Sequence, residues 1–277
     1  MNSSLLHCEG IVLRNLRFGE TSRILTLFTR EAGKLGVMAK GARDPKNPFG
    51  ASLELFIRGG YILYYRSGRD LQLLRTGWVE QEYGAFLKEP RRYAIGSAAL
   101  EFLDRVVLED EPLPELYELT VRALSALERT NDDSLGEVLR AFQLRVASLL
   151  GYAPRLESCL HCGRIASAAD DPDSRPWLFR IAEGGILCPE CATGQDGMLL
   201  RPRAVRRLHT LASGKPAEGS PRATAVRERP IDRSWQRALD RVVEDYLRYH
   251  LERYHGLRSL QALAALDDAA VPLMIRP

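Results

Sequence analysis

Cys159-Leu160-His161-Cys162-Gly163 and Cys188-Pro189-Glu190-Cys191 set four thiols in a C-x2-C-x25-C-x2-C pattern. A C-x2-C turn lets two thiolates approach one ion from the same side, and two such turns supply the four sulfurs of a tetrahedral site. Gly163 relieves backbone crowding after the first turn and Pro189 stiffens the second. Four sulfurs leave no open position for water, so the spacing points to one structural Zn2+ rather than a catalytic ion. A pair of redox dithiols, iron in an all-sulfur site, and His161 replacing one sulfur are the other readings of the same residues. Cys8 stands alone in a strand-like run and reads as a core residue. Five cysteines in 277 residues are too few for a secreted disulfide scaffold.

The other chemistry-bearing groups are cationic. Of 39 basic residues 34 are arginine, whose planar, permanently charged fork suits phosphate and aromatic stacking. Arg14, Arg17 and Arg23 surround one turn, while Lys34, Lys40, Arg43 and Lys46 flank a glycine-containing loop. Arg203, Arg206 and Arg207 share one face of a helix. These ten are the candidate nucleic-acid contacts, with Phe18, Phe49, Tyr64 and Tyr65 as rings that could stack on bases. The net charge of +3 hides an asymmetry. Residues 1–80 carry +5, 81–150 carry −5, 151–200 carry −3 and 201–277 carry +6. Two basic segments flank an acidic middle, as expected when one surface meets a polyanion and another does not.

Phosphate-cradling GxxxxGK[ST], GxGxxG after a strand, HExxH and GxSxG are all missing from the sequence, which argues against an ATPase and against the common hydrolase sites. Glu101, Asp104, Glu109, Asp110, Glu111 and Glu115 read as a solvated acidic face, with a metal-dependent nuclease as the competing reading. No apolar run approaches the length needed to span a bilayer, and no secretory signal pattern opens the chain, so a cytoplasmic protein is expected.

The elements that must position these groups are of two kinds. Runs at residues 7–13, 23–28, 35–41, 53–57, 61–65 and 71–75 read as six strands with Gly-rich connections, Gly33 taking the positive φ of a hairpin. Five or six short strands closing on themselves have the size of an OB-fold barrel. From about residue 90 apolar residues recur at helical spacing, giving three helices up to 150, with breaks at Pro112 and Pro114 and at 130–134. Helical periodicity resumes at 202–208, is interrupted by the Gly/Pro-rich stretch 213–224, and returns over 233–254 in a helix able to stop at Gly256. Residues 261–277 offer only an Ala-rich run and a Pro-terminated end. The expected fold is α+β: an OB-fold barrel (1–80), a helical domain (81–154), an inserted four-cysteine zinc module (155–200), and the rest of the helical domain with a tail (201–277).

Gly10-Ile11-Val12-Leu13, Arg17-Phe18-Gly19-Glu20-Thr21-Ser22-Arg23, Gly33 and Ala39-Lys40-Gly41-Ala42-Arg43 occur in that order, followed by Phe142-Gln143-Leu144-Arg145, Leu149-Leu150-Gly151-Tyr152-Ala153-Pro154 and the first cysteine turn. Over about residues 5–260 this order and spacing resembles the RecO family of bacterial DNA repair proteins. The resemblance implies an OB-fold, a helical domain with a zinc module, and a non-enzymatic recombination mediator. Such a protein binds single- and double-stranded DNA, anneals complementary strands, and with RecR helps RecA displace single-strand binding protein, in the nucleoid-associated cytoplasm. Where the family usually continues the basic loop with a Ser-containing segment, this chain has Lys46-Asn47-Pro48. A structural OB/zinc module that touches DNA only incidentally is the alternative from another class.

Overall fold

The computed structural model describes residues 4–44, 46–47, 49–109, 111–166, 175–214 and 233–270. In chain order the elements are β1 (Ser4–Phe18), β2 (Ser22–Thr29), β3 (Gly33–Ala39), β4 (Ile57–Tyr65), β5 (Gln72–Glu82), α1 (Pro90–Val106), α2 (Pro114–Arg129), α3 (Leu135–Leu149), β6 (Arg155–Cys159), β7 (Trp177–Arg180), β8 (Gly185–Leu187), β9 (Met198–Leu200), α4 (Pro202–Ser213), α5 (Arg233–His250) and α6 (Arg258–Ala270). They fall into two compact units, Met1–Leu135 with Leu257–Pro277, and Gly136–Gly256. That division differs from the segments drawn on the sequence, because α1, α2 and the returning α6 belong with the barrel. The α+β class, a barrel followed by helices and a cysteine module, agrees with the sequence reading.

The first unit is built on a closed barrel of order β1-β2-β3-β5-β4. Closure depends on the length of β1: Ser4–Ile11 pairs with β4 (Ser4↔Tyr65 to Ile11↔Arg58) and Gly10–Phe18 pairs with β2, with a bulge between Val12 and Arg14. The bulge turns the strand so that it serves both neighbours. A parallel pairing of β3 with β5 completes the ring. Period-2 alternation points Cys8, Val12, Leu25, Leu27, Leu35, Val37, Leu63 and Leu74 into one core. Tyr61 spans that core and its hydroxyl donates to the Ser52 carbonyl at 2.5 Å.

The run at 53–57 is not a strand. It is the end of a 3-10 turn (Gly50–Leu53), and β4 starts only at Ile57. The reason lies in Phe56, which takes a positive φ of 62° and stacks on Phe86, ring centroids 4.5 Å apart. Leu53 meanwhile joins the barrel core. Here the apolar residues split between the barrel core and the Phe86 and Tyr93 rings rather than line a ladder. Pro90 and Pro114 open α1 and α2, where a missing N–H costs nothing. Gly33, at φ 68°, lies so close to the Glu111 backbone that a Cβ would overlap it, which fixes the β2–β3 hairpin against the loop before α2. In the 130–134 break, Asn131 accepts from the Ser134 amide at 3.2 Å, a capping contact of the kind expected there.

In the second unit the strand order is β6-β8-β7-β9, with β6 and β8 parallel and the other pairs antiparallel. Gly214 ends α4 at φ 71°. The α5 helix stops at His250, short of the expected Gly256, and the Ala-rich run forms a sixth helix, α6. Most of the 213–224 interruption and residues 271–277 lie outside the described residues. No helix among the described residues is long and apolar enough to cross a membrane.

Candidate metal centre and nucleic-acid interface

The two cysteine turns meet because β6 and β8 run side by side in the same direction, Cys159 pairing with Ile186. Cys159 ends β6 and Cys188 follows β8 directly, so both turns leave the sheet at one edge despite the 25 residues between them. Each turn is closed by its own backbone: the Gly163 amide donates to the Cys159 carbonyl at 3.0 Å, and the Ala192 amide to the Cys188 carbonyl at 2.9 Å. The Cys188 amide donates to Cys159 Sγ at 3.3 Å, tying one turn to the other.

All four Sγ atoms lie within 4.8 Å of one another, and Cys162 and Cys188 are 3.6 Å apart. A tetrahedron of sulfurs around zinc has edges of about 3.8 Å, so this arrangement fits the ion. The electrostatics agree. Burial pushes the Cys159 thiol up, but amide hydrogen bonds from Cys162, Cys188 and His161 outweigh it and hold the group down at about 6. Neighbouring sulfurs of Cys188 and Cys162 push Cys191 the other way, to about 12. Four sulfurs this close do not all ionise unless a cation lies between them. The group is made of the four cysteines without His161. Cys8 is buried in the barrel core.

On the barrel, register carries one outward row across every strand. Leu16 lies opposite Ile24, Ile24 opposite Met38, Met38 opposite Leu73, Leu73 opposite Tyr64 and Tyr64 opposite Leu5. Leu5, Leu16 and Tyr64 are 46%, 44% and 39% exposed, and Phe18 two residues beyond Leu16 is 52% exposed. Water-facing positions of a small barrel are ordinarily polar, so an apolar belt on the outside is a candidate docking surface.

Cations border this belt. On one side stand Lys40 and Arg75, both exposed and each two residues beyond a belt member. On the other stand Arg14, opposite Thr26, and the Arg66–Arg69 loop. Buried Gln72 shapes that loop, accepting from the Arg66 amide at 2.9 Å and donating to the Arg66 and Arg69 carbonyls at 3.0 and 2.8 Å.

The sequence candidates therefore separate. Arg14 and Lys40 flank the belt. Arg17 lies opposite Arg23 at the strand ends, where Arg23 is 2.7 Å from Glu54. Arg43 donates to the Glu20 carbonyl at 2.7 Å, tying it to the β1–β2 turn, and Lys46 is exposed. Lys34 does not belong to this surface. It is 5% exposed, donates to the Asp104 carbonyl at 2.7 Å and faces the Asp104 carboxylate at 3.8 Å. In the second unit Arg203, Arg206 and Arg207 lie on α4 and are half-buried, and Arg207 forms an ion pair with Glu137 of α3. Of the four rings, Phe18 and Tyr64 are exposed, whereas Phe49 and Tyr65 pack on the core.

A model of the recombination protein O N-terminal part matches residues 1–82, and a model of its C-terminal part matches 87–261. This chain belongs to the recombination protein O (RecO) family. Its RecO-family relatives include proteins named DNA repair protein RecO from Salinibacter ruber, 30% identical over 266 residues and covering 96% of both chains. Another, from Streptomyces griseus, is 34% identical over 93% of this chain and 98% of the relative.

Arg66, Arg69, Arg75 and the belt leucines were missed by sequence reasoning about this RecO-family chain. A cue was available. Every barrel strand carries two adjacent apolar residues, Leu5-Leu6, Ile24-Leu25, Val37-Met38, Leu63-Tyr64 and Leu73-Leu74, where strict alternation needs only one.

Proposed function

We propose that this protein is a non-enzymatic recombination mediator in DNA repair. It binds single- and double-stranded DNA, anneals complementary strands, and with RecR assists RecA loading on DNA coated by single-strand binding protein. Family membership supports a role in DNA repair and recombination. The observation that carries the DNA reading is the outward belt with its exposed Tyr64 and Phe18 and its bordering cations. Apolar and aromatic side chains accept base faces of any sequence, and the flanking arginines and lysines take the phosphates on either side. Such a surface holds a strand without reading its sequence and leaves Watson–Crick edges available to a complementary strand.

The four cysteines hold one Zn2+ in this reading, a closed structural site that fastens β6 to β8 and supplies no reaction step. Among the acidic residues weighed for a nuclease, Glu101 accepts hydrogen bonds from Arg258 and Ser259, and Asp104 faces Lys34.

The reading is tested by mixing complementary labelled oligonucleotides with the purified protein. Faster annealing than protein-free controls, reduced in a Tyr64→Ala, Phe18→Ala variant, is expected. Binding without annealing, or neither, would favour the structural OB/zinc module.

A further inference from the structure

The four thiols of the metal centre are not equally reachable. Cys159 and Cys188 are 3% and 1% exposed, Cys191 is half-buried, and Cys162 alone of the four is exposed. Thiolates bound to zinc remain nucleophilic toward two-electron oxidants, and the attacked oxidant must reach the sulfur itself. A small peroxide therefore meets one sulfur first. That sulfur already has a partner in range, since Cys162 Sγ and Cys188 Sγ are 3.6 Å apart and belong to different turns.

We infer that Cys162 is the entry point for hydrogen peroxide or another hydroperoxide into this site, and that its oxidation releases the metal by forming a Cys162–Cys188 disulfide. The inference rests on the zinc reading above. In the first step the Cys162 thiolate attacks one peroxide oxygen, the O–O bond breaks, hydroxide leaves, and Cys162 carries a sulfenic acid. The Cys188 thiolate then forms the S–S bond and displaces a second hydroxide. Two thiolates lose two electrons in all and the peroxide gains two, and two solvent protons turn the hydroxides into water. Only Cys159 and Cys191 then remain as ligands, too few to retain the ion.

The geometry gives the disulfide a particular consequence. It joins the same two turns that the metal joined, one after β6 and one after β8. The sheet edge stays covalently tied while the ion is gone, so a thiol reductant and zinc restore the starting state. Cys8 provides an internal comparison. It is 6% exposed, and burial pushes its thiol up to about 12, so it holds little thiolate for a peroxide to meet.

The test uses the full chain as purified, with zinc measured first. A chain without zinc defeats the zinc reading itself, before any oxidant is added. With zinc present, hydrogen peroxide is added, released metal is followed with a chromogenic chelator, and disulfides are mapped by mass spectrometry of unreduced peptides. Release of the ion in step with a Cys162–Cys188 peptide, with Cys8 unmodified, is expected, and dithiothreitol plus zinc should reverse both. A Cys162→His variant keeps a fourth ligand but removes the attacked sulfur, and its metal release should slow by about tenfold or more. Zinc retained in the wild type under excess peroxide, a Cys162→His variant that loses zinc as fast, or a first disulfide joining Cys159 to Cys162 or to Cys191 would overturn the assignment. If Cys162→His binds no zinc, the wild-type peptide map alone decides.

Discussion

Lys34 and Lys40 are the same residue type six positions apart, on one strand and just past its end, and the fold gives them opposite duties. Lys34 is buried against Asp104, seventy residues away in sequence, where its ammonium donates to the Asp104 carbonyl at 2.7 Å and faces a half-buried carboxylate at 3.8 Å. Lys34→Ala should lower unfolding free energy by roughly 1–3 kcal/mol in a urea titration, the loss of a buried hydrogen bond, while leaving the salt dependence of DNA binding unchanged. Tyr64→Ala should weaken single-strand binding by about 1–3 kcal/mol, also without changing the salt dependence, because stacking releases no counterions. The cysteine spacing made the four-thiol cluster legible without structure, since residue type and interval alone bring such a group together. Lys34 was not legible in that way: charge is written in the sequence, but burial depends on what the chain brings back from elsewhere.

Elements were legible where local pattern and tertiary role agree. The β2, β3 and α1–α3 runs follow their periodicities, while Leu53–Ile57 has the composition of a strand and instead turns at a positive-φ Phe56 that packs on Phe86 and Tyr93. Helix α6 was missed because its cap comes from another helix. Glu101 of α1 accepts from the Arg258 and Ser259 amides at 3.0 Å each and from the Ser259 hydroxyl at 2.8 Å, a cap that no local motif at 258 announces. Burial pushes the Glu101 carboxyl up, but these hydrogen bonds outweigh it and hold the group below its ordinary range. A carboxyl lowered in the folded state contributes stability above its unfolded pKa, and that contribution disappears as pH falls through the folded value. Protection of the amides at the start of α6, measured as exchange relative to the unstructured chain at the same pH, should therefore fall on acidification below about pH 4, and Glu101→Gln should show low protection already at neutral pH. Gly33→Ala should destabilise the first unit, through both its positive φ and the adjacent Glu111 backbone, and lower the thermal midpoint.

At the scale of the whole molecule the chain has two compact units, a barrel unit bearing the apolar belt and a second unit bearing the four-cysteine cluster. Removing the metal with a chelator should raise proteolysis within 155–200 and leave barrel peptides protected, since Cys159 and Cys188 anchor strands of the second unit only. The segment charges anticipated cationic regions, but not how they are arranged around an apolar belt, because register across five strands decides which residues become neighbours. The central claim, that this belt and its border hold DNA through phosphates and base faces, is tested most directly by titrating a fluorescent single strand at several salt concentrations. Wild type is compared with a Lys40→Ala, Arg75→Ala double variant. The wild type should bind with log K falling linearly against log salt, and the variant slope should be shallower by about 1.4, two phosphate contacts at about 0.7 each. An unchanged slope in a folded double variant would contradict the placement of DNA on this face of the barrel.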